Sequence, residues 1–217
     1  MPKDTASVRS NGRTEQLGEA QSNDALPTIA LERPYTITIT LRGVCPILFH
    51  RWSNEAVAAG AAAPKNSKAK KTDNVESYVY RNADGEICIP GSYLKGCIAG
   101  PSGAAKFRQD PRSSRKSALD LYKAGVIVLT ELASLGTANW DYLDARRATI
   151  QRAGITRVRP ALLAGWEATF EILVQTPEYI LPDDLQDVIV QAGRLVGLGD
   201  FRPTYGRFAV AHFNVVT

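Results

Sequence analysis

The sequence predicts an α+β fold, an RRM- or ferredoxin-like sheet with helices on one face and inserted loops, and three observations predict it. Tyr35, Ile37, Ile39 and Leu41 alternate with Thr36, Thr38 and Thr40, while Trp166, Ala168, Phe170, Ile172 and Val174 alternate with Glu167, Thr169 and Glu171. A period of two places each apolar set on one face of a pleated strand. Leu185, Val188, Ile189, Ala192, Leu195 and Val196 follow helical spacing instead, and a β-branched strand is expected after them over 208–215. Strand, helix and strand at each end of one chain make a layered sheet-and-helix domain.

Residues 1–30 are rich in Ser, Asn, Gln, Glu and Gly. They cannot bury enough apolar surface to offset their ordering entropy, so a disordered arm is expected before a single domain over 31–217. The first strand is broken by Gly43 and Pro46, ahead of the cluster Phe49, His50, Arg51 and Trp52. Residues 53–75 are small and polar and carry Lys65, Lys68, Lys70 and Lys71. This insertion reads equally as a mobile basic loop or as a solvated linker. A hairpin is predicted from 78–80 and 86–89 through Asn82-Ala83-Asp84-Gly85, whose Asp-Gly step suits positive φ. The stretch 91–107 should hold a helix, with Ser92 as cap and Leu94 and Ile98 toward the core, interrupted by Gly100, Pro101 and Gly103. A second helix is expected over 114–124 and a buried strand over 126–129. Residues 130–160 hold Trp140, Tyr142, Arg146, Arg147, Arg152, Arg157 and Arg159 without clear periodicity and are expected to form a second insertion. The late amphipathic helix opens on Pro182, Asp183 and Asp184, which suit a helix N-terminus, and Gly197 should close it.

At 217 residues and 44% hydrophobic content the chain can build one sizeable core. The net charge of +4 decides nothing about partners by itself. Locally the balance is sharper, with 13 basic against 7 acidic residues over 51–124. The sequence has no apolar run near the ~20 residues of a membrane helix, and its polar start lacks the apolar centre of a secretion signal. A cytoplasmic protein without membrane contact is expected. Cys45, Cys88 and Cys97 form no Cys-x-x-Cys pair, and His50 and His212 lie far apart, so neither a zinc site, a disulfide framework nor a cofactor is expected.

Two segments carry binding chemistry. Ile89-Pro90-Gly91-Ser92-Tyr93-Leu94-Lys95-Gly96 couples a strand end, a Pro-Gly turn and a helix start bearing a hydroxyl and a lysine. Free backbone N–H groups and Lys95 would suit a phosphate, though Pro90 and Gly91 would also serve an ordinary strand-to-helix turn. The loop from Gly193 to Phe208 contains Gly197, Gly199 and Gly206 with Arg202, Tyr205 and Arg207. Its glycines would let the backbone approach a ligand, its arginines add charge and its tyrosine a stacking face. It is not a P-loop, lacking a Gly-Lys-Ser/Thr ending, and it follows a helix where a dinucleotide fingerprint follows a strand.

The turn at 89–96, the late loop ending Tyr205-Gly206-Arg207-Phe208 and the opening Gly43-Val44-Cys45-Pro46-Ile47-Leu48 together resemble the RAMP superfamily of CRISPR-associated proteins, over about 35–214. Within it the chain is most similar to the backbone subunits that polymerise along a guide RNA, which are RRM-like with a thumb-like excursion. Position alone assigns that excursion to 130–156. The resemblance implies a guide-RNA-binding subunit without enzymatic activity, a head-to-tail homo-oligomer in a helical filament, a single-stranded DNA or RNA target and further effector subunits as partners. It would put Ser92 and Lys95 near the guide's phosphates and the 199–207 loop against the same strand. Asp200 and Pro203 depart from the family's loop pattern.

Single-stranded RNA is held by a positive track with aromatic faces. The expected RNA-binding residues are His50, Arg51, Ser92, Lys95, Lys106, Arg108, Arg157, Arg159, Arg202, Tyr205 and Arg207, with Lys65, Lys68, Lys70 and Lys71 on the basic loop. Lys95, Arg157, Arg159, Arg202 and Arg207 are expected to form one continuous track, the RNA crossing the sheet face. Two other readings stand beside this one. An endoribonuclease would use His50 with Tyr205, or a metal at Asp73. A single-stranded DNA-binding or recombination module would use the same groove physics.

Overall fold

The computed structural model describes residues 33–52, 54, 58, 62, 74–150 and 153–216. The arm at 1–30, the lysines at 65, 68, 70 and 71, and Asp73 lie outside the described residues, as does most of the 53–75 insertion. The first alternating segment becomes β1 (Tyr35–Gly43), which buries Tyr35, Ile37, Ile39 and Leu41. It pairs antiparallel on one side with β9 (Glu167–Val174) and on the other with β10 (Phe208–Val216). A shorter strand, β5 (Val126–Val128), extends the sheet beyond β9, giving the order β10-β1-β9-β5. α1 (Gly91–Ala99) and α2 (Leu119–Gly125) precede β5, and α3 (Pro182–Leu195) joins β9 to β10. A βαββαβ chain with its first strand between the third and fourth is the ferredoxin-like arrangement, as the periodicities predict.

One apolar cluster holds the sheet to its helices. Leu94, Cys97 and Ile98 of α1 and Leu185, Val188, Ile189 and Ala192 of α3 meet Ile37, Ile39, Phe170 and Ile172 of the sheet. Each large side chain fully buried there stabilises the fold by ~1.5–3 kcal/mol. The opposite sheet face carries Thr36, Thr38, Thr40, Glu167, Thr169 and Glu171, with Arg42 paired to Glu167 at 2.6 Å. Among the described residues no helix is long and apolar enough to cross a membrane.

Two small sheets flank this unit. β3 (Tyr80–Arg81), β4 (Ile87–Pro90) and β6 (Leu132–Ser134) form one, and β2 (Ile47–Leu48), β8 (Ala153–Leu162) and β7 (Tyr142–Ile150) the other. The stretch 130–160 is therefore not irregular, since β6 and most of a long β7–β8 hairpin lie within it. Over 142–147 hydrophobic alternation is absent because neither face there is core: Leu143, Ala145 and Arg147 are exposed, and Tyr142, Asp144 and Arg146 are only half-buried. Tyr78 is likewise not in a strand but ends a 3-10 turn, Val75–Tyr78, before β3.

The helix starts differ from expectation in an instructive way. Pro90, not Ser92, is the N-cap of α1, no side chain caps it, and the Gly91 N–H is taken by Glu131 O at 2.9 Å. α2 begins at Leu119 rather than at 114 because the preceding turns are pinned by a carboxylate. Asp110 accepts from Arg112 Nε at 2.9 Å, Arg112 Nη2 at 2.7 Å and the Arg112 backbone N–H at 2.9 Å. The Arg112 side chain, ahead of its backbone N–H, holds the Asp110 carboxyl down at about 2. A carboxyl lowered by folding from its usual value near 4 contributes stability above that pH and loses it as pH falls toward 2. In acid titrations followed by circular dichroism, wild type should lose stability relative to Asp110→Asn between about pH 4 and pH 2. Parallel curves for the two proteins would contradict this.

Candidate nucleic-acid interface

The loop after α3 is laced onto the segment between β1 and β2. Asp200 N–H donates to Leu48 O at 2.8 Å, Gly206 N–H to Pro46 O at 2.8 Å and Val44 N–H to Arg207 O at 2.9 Å. The glycines follow from this closeness. Gly206 has φ +72°, and a Cβ on it would overlap the Leu198 carbonyl; a Cβ on Gly199, φ +77°, would lie 2.5 Å from Leu48 O. Only glycine tolerates both the positive φ and the contact. These residues thus let the chain approach itself, where the sequence suggested approach to a ligand.

Asp200, read in the sequence only as a departure from a pattern, is the anchor of the loop. It accepts from Arg159 Nε at 2.9 Å and from Phe201 N–H at 2.9 Å, and lies 3.6 Å from His50 Nδ1. Arg159 is 3% exposed, and its guanidinium stacks 4.5 Å from the Tyr78 ring centroid. His50 meets the same ring edge-on at 5.2 Å. Arg51 lies over Tyr80 at 5.2 Å, and Tyr93 meets Tyr80 edge-on and donates its hydroxyl to His50 O at 3.2 Å. The hairpin docks on the other side of the loop. Arg146 chelates Asp144, donates to the Tyr205 hydroxyl, and lies over the rings of Tyr205 and Phe201 at 4.5 and 5.2 Å.

The two segments singled out in the sequence converge. Ser92, Tyr93 and Gly96 of α1 line one cleft of about 250 Å³ with Gly199 and Arg202. Gly199 and Arg202 also line a larger adjoining groove of about 530 Å³, walled by Lys106, Phe107, Leu195 and Pro203. Arg207 is exposed at the end of the loop, its Nε donating to Pro203 O at 2.7 Å. Ser92, Lys106 and Arg202 therefore border one connected depression, with Arg207 on the same loop.

Other expected members go elsewhere. The Lys95 ammonium donates to the backbone carbonyls of Tyr122, Lys123 and Val126, capping the C-terminal end of α2. Burial, and after it the nearby Lys123, lowers its pKa. Arg159 is buried on Asp200, and Arg108 pairs with Asp184 at 2.7 Å and Asp187 at 3.4 Å on α3. Arg157 stands opposite Arg146 in the hairpin. The five residues expected to make one continuous track do not make one, because burial and backbone acceptors claim two of them. The depression is also not on the open sheet face. Its lining comes from α1, the 3-10 turn Ala104–Phe107 and the loop after α3, whereas the open face bears Glu167 and Glu171. Among the described residues no cluster of three or more His, Cys, Asp or Glu is placed to hold a metal.

Sequence reasoning missed Tyr78, Tyr80, Tyr93, Asp200 and Phe107. Tyr78 and Tyr80 stand two apart but 27 or more residues beyond the His50-Arg51 pair, and Tyr93 is further still, so only pairing across the chain shows which cation meets which ring. No protein-family model matches the chain, and no curated protein matches it. Among solved structures it is similar to a chain of the type III-B Cmr-beta complex bound to cognate target RNA, determined by cryo-EM, at 13% sequence identity and a TM-score of 0.46. The match covers 85% of this chain and 61% of the other, so this chain spans about three fifths of its neighbour's length.

Proposed function

We propose that this protein is a guide-RNA-binding backbone subunit of an RNA-guided, CRISPR-type complex, assembling head-to-tail with copies of itself along the RNA and adding no chemistry of its own. The observation that supports this reading most is the meeting of the Pro90 turn and the glycine loop in one cleft that opens into a groove bearing Lys106 and Arg202. These are the segments on which the RAMP resemblance rests, and they lie far apart in sequence. A single strand needs cations spaced along its phosphates and apolar faces for its bases, and the groove offers both. A target strand would pair with the guide, and effector subunits would supply cutting.

The test is RNA binding across a salt series, with Arg202→Ala/Arg207→Ala as the comparison. Wild type should bind a repeat-derived RNA with steep salt dependence, and the double variant should bind about tenfold or more weakly with a shallower slope. Sedimentation of the bound protein should give particles whose mass rises in steps with RNA length. Salt-independent binding, or a double variant equal to wild type, would reject the RNA interface. Monomers on RNA would reject the filament, and equal competition by any plain oligonucleotide would favour a generic single-strand binder.

A further inference from the structure

The larger groove holds an exposed aromatic ring. Phe107 is 57% exposed. It ends the 3-10 turn Ala104–Phe107, in which Ala104 and Ala105 are fully buried, so the turn is fixed to the core and presents Lys106 and Phe107 outward. The ring stands as a ridge between two depressions. On one side is the 530 Å³ groove with Arg202 and the half-exposed Leu195; on the other is a 360 Å³ groove bordered by Arg108 and Tyr179. The Lys106 ammonium rests 4.9 Å from the ring centroid, so a cation is already beside the aromatic face. The carboxylate in the lining of the larger groove, Asp200, accepts from Arg159 Nε and lies 3.6 Å from His50 Nδ1, so its charge is balanced in part by Arg159.

We infer that Phe107 is a base-stacking platform for one nucleotide of the bound single-stranded RNA, with Lys106 and Arg202 receiving its flanking phosphates. This rests on the RNA-binding reading and names a subsite within it. A rigid ring with a large face and few rotamers stacks on any base, which gives affinity without sequence preference. Flanking cations fit a polyanion and would be an expensive lining for an apolar peptide, which would leave them desolvated without partners.

The experiment compares wild type, Phe107→Ala and Phe107→Trp on an oligouridylate about fifteen nucleotides long and on a base-free ribose-phosphate oligomer of equal length. Because Phe107 is a surface ring, neither substitution removes a core contact. Phe107→Ala should weaken oligouridylate binding about five- to a hundredfold. It should leave binding of the base-free oligomer unchanged, and Phe107→Trp should keep the affinity and show quenched tryptophan emission on titration with RNA. Oligouridylate binding by Phe107→Ala equal to that of wild type, or a Phe107→Trp signal unmoved by RNA, overturns the platform while leaving the RNA interface standing. A wild-type protein that binds neither oligomer overturns both.

Discussion

Gly206→Ala is expected to destabilise the protein by about 3–5 kcal/mol and to lower its thermal midpoint by roughly 10 °C. Two independent costs act at that position. The backbone sits at φ +72°, where an L side chain is strained, and the new Cβ would overlap the Leu198 carbonyl. That carbonyl cannot withdraw easily, because Leu198 N–H donates to Gly206 O at 2.8 Å and Gly206 N–H to Pro46 O at 2.8 Å. Relief would mean breaking the bonds that seat the loop on the 43–48 segment. Gly96→Ala is the control. Gly96 lies within α1 with nothing within 4 Å of a Cβ, so alanine there should be neutral or stabilise by up to ~1 kcal/mol through helix propensity. Denaturant melts of both variants decide the matter. Equal stability for the two would show that the loop is not seated as described.

Asp200→Ala is expected to cost about 3–5 kcal/mol, because it leaves the buried Arg159 guanidinium without its carboxylate. Arg159 would then keep the Val158 carbonyl at 3.1 Å and the Tyr78 ring face, neither of which carries a negative charge. Asp200, by contrast, has a side chain 28% exposed, so removing Arg159 leaves a carboxylate that water can still reach. Arg159→Met should therefore cost less than Asp200→Ala. The double variant should recover part of the loss, since replacing both partners of a buried pair removes the uncompensated charge. A double-mutant cycle by urea unfolding measures the coupling. Strict additivity, or a larger loss for Arg159→Met, would mean that Asp200 does not anchor the loop through Arg159.

Both predictions concern the loop that presents Arg202 to the groove, and they explain why Asp200 and three glycines accompany the basic residues there. The cations that face solvent do so because a rigid scaffold of carbonyls and one carboxylate holds the turn open beneath them. The acidic residue that looked out of place in a basic loop faces inward, toward Arg159 and His50.

The ferredoxin-like unit was legible from residue order alone. β1, β9 and α3 each have one face toward the core, and burial on one face writes its period directly into the sequence, as Ile37, Phe170 and Val188 illustrate. The Pro90 turn and the glycine loop were legible too, because positive φ and tight turns restrict residue type wherever they occur. The destinations of the charged side chains were settled only by folding. Lys95 reaches the end of α2, Arg108 the start of α3 and Arg159 the loop after it, each across a long stretch of chain. A lysine or arginine has the same composition whether it faces water or a carbonyl, and its partner is fixed by the three-dimensional packing of elements whose own periodicities say nothing about it. The β7–β8 hairpin escaped for a related reason: it is held by backbone pairing, and over 142–147 neither face is buried, so that stretch imposes no hydrophobic repeat for a sequence to show.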